Sequence, residues 1–150
     1  MNSLDKISFQ NINNVIIRVD YNVPVNSNFI ITDLTRIFRS KKTIDLLISK
    51  NCKVLLLTHF GRPNNQYEEA YSISKIIDQI SSSLKQKINF ISYEDFNLNG
   101  LEKFHEINEG ICILDNIRFF KGEKKNDYSF SRSITDNFDL FVYEAFSASH

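Results

Sequence analysis

Short hydrophobic runs recur along the chain at intervals that fit buried β-strands. The strands predicted from these runs are Val15–Val19, Lys53–Thr58, Ile88–Ile91, Ile111–Leu114 and Leu140–Tyr143. Stretches with helical spacing lie between them: Thr35–Lys50, a helix capped by Ser72 that runs to Leu84, and Asp127–Asn137. The segment from Tyr93 to Glu109 fits neither pattern, and we expect only irregular helical turns there.

Strands separated by helices are typical of a parallel sheet with helices packed on both faces. We therefore predict an α/β fold, a three-layer α/β/α Rossmann-like domain with a mainly parallel sheet. The length of 150 residues fits about one domain.

The first strand carries polar residues on a face that would otherwise be apolar. Arg18, Asp20 and Asn22 alternate with apolar side chains, so all three lie on one side of the strand. Burying such groups is costly unless a partner satisfies them. Pro24 then ends the ladder pairing. Because α/β proteins bind ligands at the carboxyl ends of their strands, this pattern indicates a binding site.

Cationic residues follow the strand ends elsewhere in the chain. His59, Gly61 and Arg62 come after the second predicted strand, and Arg118 comes after the fourth. Arg36 lies in the first turn of a helix, where a cation opposes the helix dipole unless an anion is near. Taken singly, each could be a solvated surface charge. Since parallel strands end at one edge, these residues can converge, and guanidinium groups with an imidazole would bind a small polyanion.

Composition excludes several other classes of protein. The 18 basic and 18 acidic residues balance, so no overall field favours nucleic acid or an anionic membrane. No apolar run is long enough to span a bilayer, and the first residues lack an apolar signal segment, so we expect a cytoplasmic protein. Four glycines in total leave no Walker loop or dinucleotide fingerprint. Cys52 and Cys112 are interpreted as reduced core thiols, and no metal site is predicted.

Five segments together resemble the phosphoglycerate kinase family in order and spacing. They are Arg18–Pro24, Ile31–Ile37, His59–Pro63, Leu114–Phe119, and Ala145–Phe146 followed by His150. The resemblance covers the whole chain but only the N-terminal part of that enzyme. It implies an incomplete N-terminal domain over residues 1–150, with the C-terminal nucleotide-binding domain absent. Asp115 stands where the family usually has Glu, and the segment from Tyr143 to Ser149 also departs from the family pattern.

The resemblance also implies a site for 3-phosphoglycerate or 1,3-bisphosphoglycerate. Arg36 would be the catalytic residue, stabilising the transferring phosphoryl group. The substrate-binding residues would be Asp20, Tyr21, Asn22, Arg36, His59, Phe60, Gly61, Arg62 and Arg118. Whether Arg18 contacts the ligand or holds Asp20 in place stays open.

The implied reaction is the glycolytic phosphoryl transfer between 1,3-bisphosphoglycerate and ADP, giving 3-phosphoglycerate and ATP. ATP or ADP with Mg²⁺ would bind in the absent C-terminal domain, so we expect this chain alone to be inactive. The full-length family is usually monomeric. The alternatives are a non-catalytic anion-binding remnant or regulatory relative and, more weakly, a generic dinucleotide-binding domain, against which the missing glycine fingerprint argues.

Overall fold

The computed structural model describes residues 4–120 and 128–144. Within them lies a five-stranded sheet of order β3-β4-β2-β1-β5 in which every pairing is parallel. Its strands are β1 (Asn14–Val19), β2 (Lys53–Leu57), β3 (Ile88–Ile91), β4 (Gly110–Leu114) and β5 (Leu140–Glu144). All five predicted strands are confirmed to within one residue at each end.

Helices join the strands. They are α1 (Thr35–Ser49), α2 (Ile77–Leu84), α3 (Tyr93–Asn99), α4 (Glu102–Glu106) and α5 (Tyr128–Thr135). After α1, Asn51 adopts a left-handed conformation with φ 62°, which ends the helix close to the predicted end at Lys50. We expected only irregular helical turns after Tyr93. The segment forms two short helices, α3 and α4, which are separated at Gly100 with φ 60°.

Each face of the sheet is covered by its own hydrophobic cluster. Alternate residues of β1, such as Val15 and Ile17, pack with α1 and α2 through residues such as Ile44 and Ile80. The opposite face packs against α3, α4 and α5 through Phe96, Phe104 and Ile134, among others. This arrangement confirms the predicted three-layer α/β/α architecture with a parallel sheet. No helix in the described ranges is long and apolar enough to cross a membrane.

The helix predicted to run from Ser72 to Leu84 is divided in two. Ser72 is a cap, as predicted, and its Oγ accepts from Ser74 N at 3.2 Å. However, Ile73–Lys75 forms a 3₁₀ turn, and Ile76, at φ −127°, interrupts the helix before α2 begins. At the start of this turn, the Asp115 carboxylate, beyond the end of β4, accepts from Ile73 N at 2.9 Å. The turn is thereby anchored to the sheet, and its apolar residues still face the core.

Lys53 ties α4 to the amino end of β2. Its Nζ donates to the carbonyl oxygens of Phe104 (3.2 Å), His105 (3.4 Å) and Ile107 (3.1 Å), and it lies 4.8 Å from the centre of the Phe104 ring. The last carbonyls of a helix lack partners within the helix and lie at the negative end of its dipole. The ammonium group therefore satisfies the end of α4 and fixes it beneath the sheet.

We predict that Lys53→Met destabilises the protein by about 1–3 kcal/mol, the range expected when hydrogen bonds from a charged group are removed. Methionine keeps the length and apolar packing of the lysine stem but cannot donate. The measurement is the free energy of unfolding by urea titration. Lys42→Met, at an exposed position of α1, is the matched control and should change little. Equal effects of the two substitutions would contradict the role assigned to Lys53.

Candidate anion-binding site

The carboxyl ends of β1, β2 and β4 lie side by side because these three strands are neighbours in a parallel sheet. Thr58 extends the pairing just past the end of β2. Its Oγ1 accepts from Tyr21 N at 2.9 Å, and its carbonyl oxygen accepts from Ile117 N at 3.1 Å. The residues that follow each strand are thereby held together at one edge of the sheet.

Arg36 is paired with Asp20. Its Nη1 donates to Asp20 Oδ1 at 3.1 Å and to the carbonyl oxygen of Asn22 at 2.8 Å. Asp20 thus supplies a negative charge beside Arg36 in the first turn of α1. The Arg36 side chain remains 41% exposed, so the guanidinium is anchored at one nitrogen but open to a ligand.

His59 lies in a positively charged environment. It is only 6% exposed, and its Nδ1 has no hydrogen-bond partner among the residues that the structure describes. Burial, followed by the charges of Arg118 and Arg18, lowers its pKa from 6.5 to about 4, with Arg36 adding to this effect and Asp20 opposing it. A neutral imidazole close to several guanidinium groups is an environment that would favour a bound anion.

The peptide group between Phe60 and Gly61 is held at both of its polar atoms. Asn22 Oδ1 accepts from Gly61 N at 2.9 Å, and Asn116 Nδ2 donates to the Phe60 carbonyl oxygen. Gly61 has a φ of +65°, and a Cβ there would lie 2.2 Å from the Tyr71 ring. Both the conformation and the close approach require glycine at this position.

Two of the predicted substrate-binding residues have side chains in the core. Tyr21 is completely buried, and its hydroxyl lies 2.6 Å from Ser40 Oγ; burial raises its pKa. The Phe60 side chain is 4% exposed and belongs to the same hydrophobic cluster. The structure therefore places the backbone of these residues, and not their side chains, at the edge of the site.

The remaining predicted cations lie on the outer side of the same edge. Arg62 is exposed just after Gly61. Arg118 is partly exposed in the 3₁₀ turn Ile117–Phe119, where its backbone N donates to Asn116 Oδ1 at 3.0 Å. Beside the site, a cleft of about 560 Å³ is bordered by Asn22, Gly61 and Tyr71.

Two buried residues after β4 were missed as parts of the site. Asn116 is completely buried and connects three segments. Asp115 is 1% exposed and accepts from Ser72 Oγ at 3.1 Å and from Ile73 N and Asn116 N. Burial raises the Asp115 pKa although these donors act in the opposite direction. The available signal was their position just after a buried strand, the criterion by which His59 was selected.

Other predictions concern residues away from this edge. Cys52 and Cys112 are buried free thiols, as predicted, and burial raises the pKa of Cys112 to about 11. Glu144, one of the departures from the family pattern, accepts from Thr43 Oγ1 at 2.5 Å. Ala145, Phe146 and His150 lie outside the described residues. In the part of the chain that the structure describes, no group of three or more His, Cys, Asp or Glu side chains is arranged to hold a metal ion.

Known proteins resemble this chain in both sequence and structure. The family model described as phosphoglycerate kinase matches residues 4–150. A phosphoglycerate kinase of Prochlorococcus marinus (strain MIT 9515) is 37% identical over 100% of this chain, and one of Agrobacterium fabrum is 41% identical over 91% of it. The crystal structure of phosphoglycerate kinase from Pyrococcus horikoshii superposes on 100% of the chain with a TM-score of 0.83 and 28% identity.

This chain spans little more than a third of the relatives it matches. The alignments cover 37% of the Prochlorococcus protein, 34% of the Agrobacterium protein and 38% of the Pyrococcus structure. Since the family model matches nearly every residue, the chain belongs to the phosphoglycerate kinase family.

Proposed function

We propose that this chain supplies the 3-phosphoglycerate site of an enzyme that transfers a phosphoryl group between 1,3-bisphosphoglycerate and ADP. The observation that carries the proposal is the environment of His59, a buried neutral imidazole close to Arg118, Arg18 and Arg36. Burial lowers its pKa most, and the charges of these arginines lower it further. Asp20 opposes this effect on His59. Such an excess of positive charge fits a ligand with several negative charges.

The two ends of the substrate would be bound by different groups. Two of these groups, His59 and Arg62, lie in the loop after β2, and Arg118 lies in the turn after β4. They would hold the phosphate and carboxylate groups of 3-phosphoglycerate. Asp20 and Asn22, after β1, would accept from its hydroxyl or position the arginines. Support comes from the register of β1, β2 and β4, which brings these segments to one edge of the sheet.

Arg36 would act on the transferring group. In the proposed reaction the bond between phosphorus and the carboxyl oxygen of 1,3-bisphosphoglycerate breaks, and phosphorus bonds to a terminal oxygen of ADP. The transition state spreads negative charge over the phosphoryl oxygens, so catalysis depends on positioning and charge stabilisation. The partly exposed guanidinium of Arg36, fixed by Asp20 at one nitrogen, is suited to this role.

The nucleotide and Mg²⁺ are assigned to the part of the family enzyme that this chain does not match. When bound, Mg²⁺ would neutralise negative charge on the phosphate groups. We assign no residue of this chain to either. We further propose that the whole enzyme is cytoplasmic and, as is usual in the family, monomeric.

We predict that Arg36→Lys weakens binding of 3-phosphoglycerate about tenfold, equivalent to about 1.4 kcal/mol, because an ammonium cannot contact Asp20 and an anion with the fixed geometry of a guanidinium. Isothermal titration calorimetry on the 150-residue chain measures this affinity directly. Arg39→Lys, an exposed position on the same helix, is the matched control and should bind as the wild type does. Equal affinities for the wild type and both variants would argue against a role for Arg36.

We also predict that stability falls as the pH is lowered from about 6.5 to about 4. In this window the unfolded chain protonates His59 while the folded protein, with its depressed pKa, does not. Below the window both states carry the proton, and above it neither does. The raised pKa of Asp115 acts in the opposite direction, so the slope of the wild type must be compared with that of a variant.

The measurement is the free energy of unfolding from urea titrations across this pH range. His59→Gln should flatten the dependence, whereas His105→Gln, at an exposed position in α4, should keep the slope of the wild type. If His59→Gln retains the full slope, the imidazole is not the group responsible. Added 3-phosphoglycerate should also raise the pH at which the folded protein protonates His59, because a nearby anion stabilises the imidazolium form.

A further inference from the structure

We propose that Asn116 is a positioning residue that holds Arg118 and the loop from His59 to Arg62 in one fixed arrangement. The inference rests on the proposed function, since it assigns a role in binding to a residue that would not itself contact the substrate. Asn116 bonds to both segments, through the Phe60 carbonyl oxygen and Arg118 N.

The amide of Asn116 is fully engaged as a donor. It lies just beyond the end of β4 and is completely buried. Its Nδ2 donates to the carbonyl oxygens of Phe60 and Tyr71, the latter at 3.0 Å, so both N–H bonds are used. Its Oδ1 accepts from Arg118 N at 3.0 Å. One planar side chain therefore fixes the distance between the backbone that carries Arg118 and the loop after β2.

Asn22 completes this arrangement from the opposite side. It follows β1, while Asn116 follows β4, and β2 lies between these two strands. The two amides bind the two polar atoms of a single peptide group, the Phe60 carbonyl oxygen and the Gly61 N–H. That peptide group cannot rotate without losing both hydrogen bonds, of which the one from Asn116 is buried. His59 and Arg62 lie on either side of it, so their directions depend on its orientation.

The side chains of Asn22 and Asn116 differ in how they would relate to a ligand. Asn22 is at the cleft, and its role as a substrate contact is part of the proposed function. Asn116 is buried behind the loop, so its influence would pass through the groups it orients. A small displacement of charged groups from their binding geometry is enough to weaken recognition strongly. Asn116 would therefore affect affinity for a polyanion without touching it.

The substitution that tests this idea is Asn116→Asp. Aspartate has the same shape and keeps an acceptor for Arg118 N, but it presents an oxygen in place of the donor to the Phe60 and Tyr71 carbonyl groups. We expect the Kd for 3-phosphoglycerate, measured by calorimetry on the full 150-residue chain, to rise at least tenfold. Leu84→Ala, a fully buried change at the end of α2, controls for lost stability. It should lower the melting temperature and leave the Kd unchanged.

A double-mutant cycle separates positioning from general damage. If Asn116 acts through Arg118, the loss caused by Asn116→Asp should shrink in the background of Arg118→Lys, since the group being positioned is already impaired. Losses that multiply independently would indicate a purely structural role and overturn the proposal. An unchanged Kd in Asn116→Asp would overturn it as well.

Hydrogen exchange followed by NMR provides a readout that needs no ligand. In Asn116→Asp, the amides of Gly61 and Arg118 should exchange faster together, while amides in the centre of α1 should not. Failure of the wild-type chain to bind 3-phosphoglycerate would overturn the proposed function, but the exchange data would still decide whether Asn116 braces the two segments. Unchanged exchange at both amides would rule out the brace.

Discussion

The parallel pairing of β1, β2 and β4, continued by Thr58, is the constraint on which the rest of the site depends. Thr58 is fully buried and sits one residue past β2. Its hydroxyl accepts from Tyr21 N, and its carbonyl oxygen accepts from Ile117 N. These two bonds carry the alignment of the strands into the loops. Without them, the residues that follow each strand would leave the sheet edge in unrelated directions.

Beyond Thr58, neutral and charged side chains have separate tasks. The side-chain amides of Asn116, which is buried, and Asn22, which faces the loop, bind backbone atoms and fix the geometry of the loops. Arg36, Arg62 and Arg118 remain at least partly exposed. This division follows from energetics: a buried neutral amide is stable once its hydrogen bonds are made, whereas a fully buried guanidinium would require an equally buried partner. The scaffold is therefore satisfied before any ligand binds, and the charges stay available.

Much of the fold could be predicted from the sequence because it depends on local periodicity. The strands are short apolar runs with both faces covered, and α1 has a continuous stripe that includes Ile37, Ile44 and Leu47. The second helix shows where such reasoning stops. Its apolar spacing continues through Ile76, yet the helix is interrupted there, and Asp115, distant in the sequence, anchors the preceding turn through Ile73 N. Periodicity reports which face is buried but carries no information about such a long-range bond.

The site was predictable to a similar extent. Charged residues after strand ends could be grouped because parallel strands end at one edge, and the structure places Asp20, Arg36 and His59 together as expected. Neither the burial of the Tyr21 and Phe60 side chains nor the role of Asn116 could be read from a motif, since a motif records which residues recur and not which atoms of them face a ligand.

Electrostatics explains why this edge is suited to an anion and why it is costly to the fold when empty. Burial lowers the pKa of His59 most, the charges of Arg118, Arg18 and Arg36 lower it further, and Asp20 acts in the opposite direction. Like charges held at one edge repel one another, and their mutual repulsion is stored in the folded protein. A polyanion relieves that repulsion at every cation it contacts. Since the loops are already fixed by Thr58, Asn22 and Asn116, little reorganisation opposes binding, and most of the relieved repulsion is expressed as affinity.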